Sequence, residues 1–187
     1  MPGERGGLGP EGAGPEARSA QEMGEVRKEA AVSAMADAVG RIAGLLPAED
    51  NTTLLGSEKE PGGSELTEYG IRTPSIRTQG SGGRKYAFAV YDPEVSEVQA
   101  AVMVDVFDDE SGRLWSNRYT IGQRDEKGRP GVWHERVDLS APAGEPAGHQ
   151  EWLDEAAIEA WVGRLAKVEA EVAAGKYRVE QPGQAAG

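Results

Sequence analysis

Cysteine is absent from the 187 residues, which excludes disulfides, thiolate metal sites and a cysteine nucleophile. Histidine occurs twice, and no H-E-x-x-H, no His pair at ligand spacing and no G-x-S-x-G motif is present, so metal-hydrolase and serine-hydrolase signatures are missing. Long apolar runs are missing too. The longest, "AAVSAMADAVGRIAGLL", is interrupted by Asp37 and Arg41, and "MPGERGGLGPEG" holds no apolar segment, so neither a spanning helix nor a signal peptide is expected. A cytoplasmic protein without membrane contact is the expectation. Leu, Ile, Val and Phe together make up 32 residues, about 17%, below the level at which a whole chain folds. The poorest stretches, "MPGERGGLGPEGAGPEARSA", "EDNTTLLGSEKEPGGSE" and "EQPGQAAG", bury too little to offset ordering entropy. They predict disordered tails at 1–19 and 178–187, and one domain over 20–177 with a flexible linker at 48–68.

What the chain has in excess is acid. Its formal net charge is −12, which disfavours direct nucleic-acid binding, since neutralising phosphates requires a basic face. One segment runs against this: "GIRTPSIRTQGSGGRK", from Gly70 to Lys85, carries Arg72, Arg77, Arg84 and Lys85 and no acid. Pro74 cannot donate to a ladder, so this segment is expected at a sheet edge or outside the sheet. Its "GSGG", Gly80 to Gly83, precedes a strand rather than linking strand to helix, and reads as a connector rather than a phosphate cradle. Abundant Ala, Gly, Arg and Glu beside six Lys and two Asn match the coding bias of a high-G+C bacterium or its phage.

Two helices are predicted. Val32, Met35, Val39, Ile42 and Leu46 form one stripe of a helix from about Ala20 to Leu46, stopped by Pro47. Leu153, Ala157, Trp161, Leu165, Val168 and Val172 form the stripe of a second, with "GHQEW" leading into it and Gly175 as its stop. On the first, Ala36, Gly40 and Gly44 make a strip of small residues. Between the helices the period becomes two. "RKYAFAVYD", "VQAAVMVDVFD", "RLWSNRYTIG" and "GVWHERVDL" read as strands. The predicted fold is α+β, a four- or five-stranded antiparallel meander flanked by an N-terminal and a C-terminal helix.

Register follows from keeping apolar residues together. Pairing Val106 with Trp115 places Val102, Val104, Val106, Trp115, Tyr119, Ile121, Trp133 and Val137 on the helix-facing side and leaves Asp109-Glu110-Ser111-Gly112 as a turn. The acidic triplet Asp108, Asp109 and Glu110 is then a solvated turn, and the Ca²⁺-loop spacing is absent, so no metal is expected. The same register puts Met103, Asp105, Phe107 and Arg118 on the other side, a face half apolar and half charged of the kind that meets a partner. His134 falls between Arg136 and Asp138 on the wet side. Glu135 falls on the apolar side opposite Tyr119, where a carboxylate would be perturbed; these two are the candidate catalytic residues of a small hydrolase or transferase.

The chain thus offers surfaces rather than chemistry. The expected function is a non-catalytic protein-binding or assembly module needing no cofactor, with a protein partner or another copy meeting Arg72, Arg77, Arg84, Lys85, Met103, Asp105, Phe107 and Arg118. An acidic inhibitor or DNA mimic is the alternative.

Overall fold

The computed structural model describes residues 15–49, 55–59, 65–68, 70–94, 99–144 and 148–181; of the expected tails, 1–14 and 182–187 lie outside these. The order is α1 (Pro15–Leu45), β1 (Leu55–Lys59), β2 (Glu65–Glu68), β3 (Gly70–Arg72), β4 (Ile76–Thr78), β5 (Lys85–Tyr91), β6 (Ala101–Asp108), β7 (Leu114–Arg124), β8 (Pro130–Asp138), β9 (Gly148–Trp152), α2 (Glu155–Ala173) and β10 (Tyr177–Val179). The architecture is α+β and the main sheet is antiparallel, but it has eight strands in the order β10-β4-β5-β6-β7-β8-β9, with β3 also pairing β5. Strands β1 and β2 pair as a separate hairpin inside the stretch expected to be a linker. The segment "GHQEW" is strand β9 rather than the lead into α2. Strand β4 is not at an edge, because β10 pairs its outer side; Pro74 falls in the gap between β3 and β4, where it interrupts no ladder.

Both helices pack together on one face of the sheet. Met35, Val39 and Ile42 of α1 and Ile158, Leu165 and Val168 of α2 close over Ile76, Tyr86, Met103, Tyr119, Ile121 and Val132. Each such side chain removed from water contributes about 1.5–3 kcal/mol. Helix α1 ends two residues before Pro47, and α2 starts at Asp154, whose carboxylate accepts from the Ala157 amide at 2.8 Å. No helix is long and apolar enough to cross a membrane.

Two turns of the same pattern, D-E-x-G-R, set the register. "DESGR" (109–113) joins β6 to β7 and "DEKGR" (125–129) joins β7 to β8. In each, the Asp and Arg backbones close the loop at 2.9 and 2.8 Å, and the Gly adopts φ of 79° or 74°, a conformation that favours glycine. The Asp side chain then caps the turn. Asp109 Oδ1 accepts from the amides of Ser111 (2.9 Å) and Arg113 (3.0 Å), and Asp125 Oδ1 accepts from those of Lys127 and Arg129 (both 2.9 Å). The acidic triplet is a turn, as its composition predicts.

Arg113 faces Asp109 rather than Asp108, so the closed loop holds three residues instead of the four of the sequence reading, and this changes everything on β6. Phe107, not Val106, opposes Trp115; Asp105 opposes Asn117 and Met103 opposes Tyr119. A one-residue slip moves a strand's whole side-chain set to the other face. The helices therefore cover Ala101, Met103 and Asp105, while Val102, Val104 and Val106 lie on the face that neither helix touches.

Candidate functional site

The covered face holds a polar row among its apolar ones. Asp105 is fully buried and Asn117 and His134 nearly so. Asp105 Oδ2 is bonded by the Arg84 guanidinium, whereas Oδ1 has no partner. Burial holds this carboxyl above its ordinary value of 3.8, outweighing the attraction of Arg84. His134 is not on a wet face. Its ring stacks on Tyr119 at 4.6 Å and lies hydrogen-bonded between Asn117 Oδ1 (2.9 Å) and Glu151 Oε1 (3.2 Å). Hydrogen bonds from His134 and His149 lower the Glu151 carboxyl. Tyr119 leans on Trp161 of α2 at 4.8 Å. Toward the hairpin tip, Arg84 lies over the Phe107 ring (4.1 Å) and Arg136 over that of Trp115 (3.9 Å), and Asp109 Oδ2 accepts from Trp115 Nε1 at 2.8 Å.

Glu135 is opposite Arg118 on the other face and accepts from Gln150 Nε2 at 2.9 Å; it does not oppose Tyr119. As neighbours on one strand, His134 and Glu135 point to opposite sides of the sheet, so the two candidate catalytic residues do not converge. Among the described residues, no three His, Asp or Glu side chains form a group that could hold a metal ion.

The face bare of helices is built from three rows, although its Val102 and Thr120 are themselves buried. Arg72, Ala89, Val102, Thr120, Trp133 and Trp152 form the first; Ala87, Val104, Arg118, Glu135 and Gln150 the second; Lys85, Val106, Ser116, Val137 and Gly148 the third. Trp133 and Trp152 meet edge to face at 5.0 Å. Val137 is 47% exposed, and Arg72 and Arg118 are exposed. None of Arg72, Lys85 and Arg118 forms an ion pair among the described residues. A cleft of about 270 Å³ opens between Arg72 and Arg118, lined also by Glu49, Ala87, Val102 and Val104.

The expected binding set is thereby divided. Arg72, Lys85 and Arg118 share the bare face; Met103 and Asp105 are buried under the helices; Phe107 and Arg84 lie at the border of the covered face; Arg77 sits 2.9 Å from Glu180 beside the β4–β10 pair. The register slip exchanged the apolar partners of Arg118, from Met103 and Phe107 to Val102 and Val104. The residues that sequence reasoning missed are Trp152, carried by a strand with no apolar alternation, and the pair Arg164 and Lys167 of α2. No protein-family model, no curated protein and no solved structure matches this chain.

Proposed function

We propose that the chain is a non-catalytic protein-binding and assembly module of the cytoplasm, docking an acidic protein surface on the bare face of its sheet. The observation that carries this reading is the set of three cations, Arg72, Lys85 and Arg118, around Ala87, Val102, Val104 and Val106, none of them in an ion pair among the described residues, on a chain of net charge −12. Apolar surface carrying cations outside ion pairs favours an acidic partner, and the acidic remainder of the molecule makes another copy a suitable one. The first turn of α2 with Asp154, Glu155 and Glu159 offers the matching acids. Electrostatic docking of this kind weakens with salt, because charges beyond about 10 Å are screened at 0.1 M.

Light scattering at low and high salt, on wild type and on Arg72→Ser/Lys85→Ser/Arg118→Ser, tests it. A mass above the monomer that falls with salt and is lost in the triple variant is expected. A monomer mass in both proteins at every salt concentration would rule out self-assembly through this face.

A further inference from the structure

We propose that a second site, on the helix-covered side of the sheet, binds a small phosphate monoester in the cleft between the β4–β5 turn and helix α2. This cleft, of about 570 Å³, is bounded by the "GSGG" turn on one side and by Arg164 and Lys167 on the other, with Tyr86 and Arg84 also lining it. The turn is held against the helix: the Gly80 amide donates to Glu171 Oε1 at 2.7 Å, and a Cβ at Gly80 would come within 2.5 Å of that oxygen. A larger residue here would have to displace the Glu171 carboxylate from the turn. The turn is not a free connector, and its counterpart is the flank of a helix rather than the helix N-terminus a phosphate loop normally uses.

Three features of the cleft ask for an acceptor-rich dianion. Arg164 and Lys167 lie one helical turn apart, both are exposed, and neither forms an ion pair among the described residues. Arg84 adds a third cation whose charge is partly spent on Asp105, and Glu171, the acid of the lining, is already engaged by the Gly80 amide. One hydroxyl is unsatisfied as well: Thr78 Oγ1 is buried with no hydrogen-bond partner among the described residues, and the buried Tyr86 lines the same cleft. An unsatisfied hydroxyl beside two exposed cations that form no ion pair among the described residues is complementary to phosphate oxygens, which only accept. A metal ion would be repelled by the cations, and an apolar ligand would strip water from them without return. The volume exceeds what a bare phosphate fills, leaving room for the organic part of an ester.

Titrate the full chain, isotopically labelled, with inorganic phosphate and with glucose 6-phosphate, following amide shifts by NMR and heat by calorimetry. Saturable binding is expected, with shifts at Gly80 to Arg84 and along 160–168, and tighter for the ester. Arg164→Gln/Lys167→Gln, at two exposed positions, should weaken it about tenfold or more, the loss of one or two charge-assisted hydrogen bonds. Arg118→Ser, on the opposite face, should leave it unchanged, which separates this site from the assembly surface. Absent saturation, shifts elsewhere in the wild type, or wild-type affinity in the double variant would each overturn the site. Equal affinity for ion and ester would overturn the monoester reading.

Discussion

On the covered face, strand β6 presents Ala101, Met103, Asp105 and Phe107; on the bare face, the same strand presents Val102, Val104 and Val106. By hydropathy the valine side is the better candidate for a core, yet the helices lie on the side with the buried aspartate. The difference is in how each face treats charge. Under the helices, Asp105 has the guanidinium of Arg84, just before β5, which offsets part of the cost of its burial. On the bare face, Arg72, Lys85 and Arg118 form no ion pair among the described residues, and such cations are costly to cover and cheap to leave in water. Apolar content alone does not choose a core; the pairing of its few charges does.

The sharpest way to break this contrast is to remove the compensation. Arg84→Ala leaves the Asp105 carboxylate buried alone, and a loss of about 3–5 kcal/mol is expected in urea unfolding. The pH dependence has a definite sign. Because burial raises the folded-state value of Asp105 above 3.8, the stability it contributes is complete below the unfolded value and is lost as pH rises through the folded one. Asp105→Asn should abolish that part of the decline, and parallel curves for wild type and variant would show that Asp105 is not the group responsible.

A pair of adjacent substitutions sharpens the same contrast. Met103→Ala empties a fully buried site and should cost about 2–5 kcal/mol, whereas Val104→Ala, half-buried on the bare face, should cost about 1 kcal/mol. Chemical unfolding that ranks them the other way would restore the register in which Val106 opposes Trp115.

The smallest effect concerns the turn that decides between these registers. Asp109 accepts hydrogen bonds from Ser111, Trp115 and the Arg113 amide, which together hold its carboxyl well below the usual range. Its contribution is therefore present above the ordinary carboxylate value and is lost as pH falls toward the depressed one. Asp109→Ala should lower the thermal midpoint and Glu110→Ala, which engages nothing, should not; equal midpoints would mean that the acids of the turn are interchangeable.

The stripe of α2, its stop at Gly175, the arrest of α1 before Pro47 and the four central strands were all readable, because burial imposes a period on them. The register was not, since "AVMVDVF" is apolar at both parities except for Asp105, and hydrophobic matching tolerates either choice. The discriminating signal was the recurrence of D-E-x-G-R at 109 and 125, which fixes a three-residue loop between its Asp and Arg. Strands β9 and β10 escaped notice because "GHQEW" and "YRV" lie at the two sheet margins, where one side of the ladder and much of the surface remain in water. For the site, Arg72 and Lys85 were legible as cations of an acid-free segment and Arg118 as a cation of the mixed face beside Asp105; which of the candidates they would share a face with depended on the register.

Helix α2 leaves β9 at one margin of the sheet and delivers the chain to β10 at the other. Six inter-strand steps of about 4.8 Å make a width of about 29 Å, and 19 residues of helix at 1.5 Å rise make about 28 Å. The helix is therefore a gauge for the sheet: its length and the number of strands have to change together. A seven-residue duplication within α2 would overshoot β4, while the addition of a strand pair at the β8–β9 margin would leave β10 out of reach, so this architecture can lengthen its strands freely but resists widening.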